Sequence, residues 1–212
     1  MIDLHTYFLF IGAAIVLVIV PGPDMAYMLA RTVAQGRSAG FLAAAGINAG
    51  AYVHVFASVI GLTAVLAASS VAFTALKWLG ACYLVWIGWR ALASKAASPG
   101  VEPEASTKLP WKAIFWQGFW SDVLNPKVAI FFLAFLPQFV DVTNPGVGVT
   151  QQLLLLGVTC NVIAICINLI LVCFASAMTS RLRKSQRAVA WLHKIMGSLF
   201  IALGIRLARE RL

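Results

Sequence analysis

The chain has 212 residues, of which 61% are hydrophobic and only 11% charged, and its mean hydropathy is +0.90. A single water-soluble core of this size cannot absorb that much apolar side chain, so the sequence reads as an all-α integral membrane protein with no sizeable soluble domain. The formal net charge of +9 does not imply nucleic acid, because the basic residues are scattered over loop ends and not gathered with aromatics on one face.

Six windows are long enough to cross a hydrocarbon slab, which takes about 20 helical residues. They fall near 4–33, 39–67, 71–92, 112–139, 147–177 and 188–208. A transmembrane barrel would need alternating strands, and nothing in the chain alternates. Behind Met1 there is no basic region and no small-residue cleavage site, so no removable leader is expected.

The first span is interrupted by Pro21-Gly22-Pro23-Asp24. Prolines withhold backbone donors, and in lipid an unsatisfied backbone group costs several kcal/mol, about 4–8 in the harshest reference. A carboxylate near the bilayer centre adds about 2.5–3.5 kcal/mol and marks a substrate or ion path. Asp24 falls in the first turn of the second half-helix, where the unpaired amides favour an anion.

The second span carries Gly46 and Gly50 four apart among alanines, with Gly36 and Gly40 just before it. Small residues at this spacing let helices approach closely. The expected partner is the first or fifth span of the same chain, with a homodimer seam as the alternative. Asn48 and Tyr52 are four apart and are expected to share a face. His54 is expected to hydrogen-bond a neighbouring carbonyl.

The third span is rich in tryptophan, and residues 93–110 are the only sustained polar run, a flexible cytoplasmic linker between a repeat at 1–92 and a second at 111–212. The fourth span passes Gln117, Ser121 and Asp122, breaks at Asn125-Pro126, and continues through Lys127 to Phe139. The fifth contains Asn161 and Asn168.

The halves align: Gly12 and Pro21 with Gly118 and Pro126, Gly46 and Gly50 with Gly157 and Asn161, Lys77 and Gly80 with Lys194 and Gly197, Gly88 and Arg90 with Gly204 and Arg206. A three-helix unit crosses an odd number of times, so its second copy is inverted. The two broken spans are then expected to meet near the midplane, where transporters of this build place their site. Loops after the first, third and fifth spans hold most of the Lys and Arg, so both termini are expected on the extracytoplasmic side.

These residues carry a resemblance. Pro21-Gly22-Pro23-Asp24, the glycine pairs Gly36/Gly40 and Gly46/Gly50, Leu76-Lys77-x-x-Gly80-Ala81-x-Tyr83, Leu124-Asn125-Pro126-Lys127 and Leu136-Pro137-Gln138-Phe139 together resemble the LysE/RhtB family of amino-acid exporters over nearly the whole chain outside the linker. The resemblance implies a six-helix carrier of the bacterial inner membrane that exports amino acids or close derivatives by proton antiport, and implies neither an enzyme nor a cofactor. The motifs are shared across members with different substrates, so homoserine, threonine, leucine and lysine are not separated by them.

Burying an ammonium and a carboxylate together demands partners for each. The expected site gives the ammonium Asp24 and Asp122, gives the carboxylate a half-helix amide end with Lys127 or Asn125, and lines the rest with Asn48, Tyr52, Gln117 and Asn161. A metal-ion exporter is the alternative, but it wants several converging His, Asp, Glu or Cys ligands. A membrane thiol-disulfide electron carrier wants a reactive cysteine at matching depth in each half, and Cys82 and Cys160 do not correspond.

Overall fold

The computed structural model describes residues 2–19, 22–68, 108–141 and 148–177, together with 75, 78, 82, 85, 86, 89, 198 and 205. All its regular structure is helical, with no strand among the described residues. Helix α1 is Leu4–Ile19, α2 is Pro23–Gln35, α3 is Arg37–Ala68, α4 is Trp111–Val123, α5 is Pro126–Ile130 and α6 is Val149–Ala177. Between α5 and α6 the chain makes a π-helical turn, Phe131–Phe135, and a 3-10 turn, Leu136–Phe139. The third and sixth expected spans, the linker and Pro21 lie largely or wholly outside the described residues.

Two helices, α3 over Arg37–Gly61 and α6, are each long and apolar enough to cross a membrane. The pairs α1/α2 and α4/α5 with its continuation pass the same test as bent units, at 55° and 46°. The protein is multi-pass. Each bend coincides with chain that cannot continue a helix. Pro23 opens α2 at a position where a missing N–H costs nothing, and Pro126 opens α5 behind Asn125, whose side chain accepts from the Lys127 amide at 3.0 Å.

Close approach of backbones organises the packing. A Cβ on Gly46 would run into the carbonyl oxygen of Phe115, one on Gly50 would lie 2.7 Å from that of Phe119, and one on Gly118 would lie 2.6 Å from that of Ala43. The glycine stripe of α3 therefore meets α4, within the same chain, and not the first or fifth span as the sequence suggested. The reason is the reciprocal glycine at 118, which lets two backbones touch where a larger side chain on either would hold them apart. Gly40 instead turns to the expected first and fifth spans, against Thr32 of α2 and Val172 of α6.

Two amide clamps fix the connections. Gln35 at the end of α2 both donates to and accepts from the Leu109 backbone at 3.0 Å. Gln152, buried at the start of α6, does the same to Asp141 at 2.8 and 2.9 Å.

Gly36 joins α2 to α3 at φ 89° and ψ 179°, a region only glycine enters without strain, while its Cβ position is open space. Gly36→Ala is therefore a pure backbone test. It is expected to cost about 1–3 kcal/mol, read as a lower melting temperature of the detergent-solubilised protein.

Among the described residues the apolar interior forms two clusters. One joins Phe10 and Leu17 of α1, the π turn and Leu153 and Leu156 of α6. The other joins Met28 of α2, Ala43 and Ile47 of α3, Ile114 of α4 and Val172 of α6.

Candidate functional site

A cavity of about 60 Å³ lies where these clusters part, and α3 and α6, the two helices that reach both clusters, line it from the stretch between. Along α6 the order is Leu156, then Cys160, Asn161, Ala164 and Asn168 on the cavity, then Val172. Along α3, Ile47, Asn48 and Ala51 line it ahead of Val55. By the measure on which one water takes roughly 10–15 Å³, the cavity holds a few water-sized groups. Its polar wall is Asp24, Asn48, Asp122, Lys127, Asn161 and Asn168; its apolar wall includes Leu17, Met25, Val128 and Phe132.

The prolines explain why charged side chains gather here. The carbonyl of Leu17 would bond the amide four residues on, but that residue is Pro21 and has no N–H. The Lys127 ammonium donates to it instead, at 3.4 Å. The carbonyl of Asp122 faces the same shortage, since its fourth successor is Pro126. His54 Nε2 donates to it at 3.0 Å, and the Asn125 amide adds a bond at 2.9 Å. A carbonyl only accepts, so His54 carries its proton on Nε2. The expectation of a carbonyl partner for His54 thus holds, and its ring also lies 3.9 Å from Asp122 Oδ2 and stacks on Phe132.

The two bends touch. Asp24, in the first turn of α2, accepts from Asn125 Nδ2 at 2.5 Å and from Ser121 Oγ at 3.3 Å, both from the α4/α5 corner. A Cβ on Gly22 would sit 3.1 Å from Lys127 Nζ, so glycine there makes room for the ammonium. Lys127 interacts electrostatically with both Asp24 and Asp122. Asp24 is more than a cap of its own helix: its partners lie about a hundred residues away in the chain.

Asn48 donates through Nδ2 to the Ala44 carbonyl at 2.7 Å, and Asn161 donates through Nδ2 to the Asn48 carbonyl at 3.1 Å. These bonds fix which way each amide points. Asn48 Oδ1, Asn161 Oδ1 and Asp122 Oδ2 are buried without a hydrogen-bond partner.

Of the residues expected from sequence, the structure brings Asp24, Asp122, Lys127, Asn48 and Asn161 onto one cavity, with Asn125 buried behind Asp24. It does not bring Tyr52 or Gln117. Four residues advance a helix about 40° past a full turn, and Tyr52 rotates away from the buried arc to 36% exposure, leaving Ala51 to face the cavity. Gln117 lies one residue off the Ile114, Gly118, Asp122 face and opens onto an outer groove beside Trp116 and Trp120. Asn168 joins the cavity without having been singled out; its spacing of seven from Asn161, two turns on one face, was the available signal.

The family model "LysE type translocator" matches residues 15–211. The chain is 29% identical over 202 residues to the leucine efflux protein of Salmonella typhimurium, covering 95% of this chain and 94% of that one. The leucine efflux protein of Klebsiella pneumoniae subsp. pneumoniae gives the same figures. The chain is also 28% identical over 210 residues to the uncharacterized membrane protein YrhP of Bacillus subtilis, covering 96% and 98%. No solved structure matches.

Proposed function

The chain belongs to the LysE type translocators, and on that premise we propose that it exports neutral amino acids from the bacterial cytoplasm across the inner membrane in exchange for protons. The observation that carries this is a cavity presenting two carboxylates, one lysine and uncommitted amide oxygens. An amino-acid zwitterion needs a partner for each of its charges when it leaves water. Among the described residues the charged side chains on the cavity wall are Asp24, Asp122 and Lys127, which supply an opposite charge for each end of a zwitterion. The apolar wall of Leu17, Met25, Val128 and Phe132 suits an aliphatic side chain, as do relatives that are leucine efflux proteins.

The architecture that goes with this reading is two inverted three-helix repeats, 1–92 and 111–212, joined by a cytoplasmic linker, with both termini outside. The bends at Pro21 to Pro23 and at Pro126 then meet near the midplane. Support comes from the paired bends and from the matching way in which each proline-orphaned carbonyl recruits a side chain.

Coupling follows from the shared lysine. With both carboxylates ionised, Lys127 balances one and the other is left for the substrate ammonium, while the substrate carboxylate approaches Lys127. A proton entering from outside neutralises Asp24. Lys127 then has Asp122 as its sole counter-charge and displaces the ammonium. Movement of the bent pairs admits the side chain and alternates the access.

Inside-out vesicles offered labelled leucine, threonine, homoserine and lysine test this. Uptake of leucine above lysine, lost when the pH gradient is collapsed, is the expected result. Uptake of none of them would remove the reading.

A further inference from the structure

Three oxygens of residues lining the cavity have no hydrogen-bond partner. We propose that Asp122 Oδ2, Asn48 Oδ1 and Asn161 Oδ1 form a subsite for a primary ammonium, and that Asp24 is the proton-carrying carboxylate and not the ammonium's ligand. This deepens the preceding reading and rests on it.

Each oxygen belongs to a side chain more than nine-tenths buried, and each is without a hydrogen-bond partner. Leaving one buried acceptor unpaired costs about 1–3 kcal/mol, so three together describe a place built for a donor-rich guest. The amides cannot rotate to relieve this. Asn48 Nδ2 is spent on the Ala44 carbonyl and Asn161 Nδ2 on the Asn48 carbonyl, so both oxygens are left over by construction. The second of these bonds ties α6 to α3 at the same level. Asp122 packs over Gly50, next to the cavity-lining Ala51 of α3: a Cβ on Gly50 would sit 3.3 Å from its Oδ2.

A primary ammonium carries three N–H groups, one for each oxygen, whereas a water can donate only two. Asp24 offers less. Asn125 and Ser121 already donate to its two oxygens, which leaves it suited to gaining or losing a proton within a fixed hydrogen-bond frame. The charged and titratable groups around Asp122 are His54 from α3, at 3.9 Å from its Oδ2, Asp24 from α2, Lys127 from α5 and Cys160 from α6.

The test uses purified full-length protein and ligand-induced thermal stabilisation, which reads binding without transport. The probes are leucine, isopentylamine, which keeps the ammonium alone, and 4-methylpentanoate, which keeps the carboxylate alone. Asn161→Ala and Asn48→Ala are expected to weaken leucine and isopentylamine about tenfold or more, the size of one hydrogen bond to a charged group, with 4-methylpentanoate within about twofold. Asn161→Asp keeps an acceptor oxygen but not the bond to α3, and is expected to retain isopentylamine binding. Equal weakening of isopentylamine and 4-methylpentanoate by the alanine variants would overturn the assignment, as would an Asn161→Asp protein that behaves like Asn161→Ala. So would sodium ion replacing isopentylamine as the stabilising ligand. Failure here with leucine uptake intact in vesicles condemns the subsite and leaves the exporter reading standing; absence of any amino-acid uptake by the wild-type protein condemns both.

Discussion

Asp24→Asn is expected to yield a folded protein whose pH-gradient-driven export falls by about 100-fold, the upper end of what one buried hydrogen-bonded charge contributes. Asparagine matches aspartate in shape: with its oxygen accepting from Asn125 Nδ2, its amide can donate to Ser121 Oγ, a hydroxyl that also accepts, so the α2 corner keeps both contacts. What it loses is the negative charge that shares Lys127 with Asp122. The variant is fixed in the charge state of the protonated carrier, with Lys127 committed to Asp122 and the ammonium displaced. Residual leucine exchange should then be indifferent to pH on either side. Vesicle uptake measured with and without a gradient, at matched protein levels, reads this directly. Export by Asp24→Asn at the wild-type rate would contradict the coupling scheme.

The second large effect concerns folding. Gly46→Ala places a methyl group into the Phe115 carbonyl oxygen, a backbone atom that cannot swing aside, so α3 and α4 must separate. Overpacking of this kind costs about 1–3 kcal/mol and occasionally more, and here the contacts at Gly50 and Gly118 on the same edge are lost with it. Gly12→Ala is the control. Nothing lies within 4 Å of its Cβ position on α1, and alanine in a helix interior gains about 0.5–1 kcal/mol over glycine. The same substitution is thus expected to lower the melting temperature at position 46 and to raise it slightly at position 12. A Gly46→Ala protein as stable as wild type would show that the two helices do not meet at that distance.

Much of this arrangement could be read from residue types alone. Proline carries no N–H wherever it is placed, so Pro126 announced the end of α4 to within three residues, and the apolar windows matched α3 and α6 closely. That Asp24 should meet the Asn125 to Lys127 corner followed from treating the two breaks as partners, and the structure brings them within hydrogen-bond distance. Direction was harder. The sequence shows that Asn48 and Tyr52 are near one another on a helix, but which side of the pair faces inward depends on the glycines of α3 meeting α4, a tertiary fact. Gln117 was misplaced for the same reason, since the depth of Gly118 against Ala43 decides which side of α4 is buried. The fourth span's second half was expected as one helix from Lys127 to Phe139. It instead widens at Phe131–Phe135, where the Leu136 amide reaches back five residues to Phe131, and tightens to a 3-10 turn around Pro137. No periodicity marks such a change of pitch, though it lets Phe131 and Phe132 both be buried side by side.

The central claim is that the cavity between the two bends is where an amino acid sits. Cys160 is buried on its wall beside Asn161, and it can be made the sole thiol by changing Cys82, Cys166 and Cys173 to serine. Labelling of Cys160 by the small cationic reagent 2-aminoethyl methanethiosulfonate during transport, slowed by saturating leucine, is the result the account predicts. Labelling that proceeds at one rate with and without every transported amino acid, in protein that still exports, would contradict it.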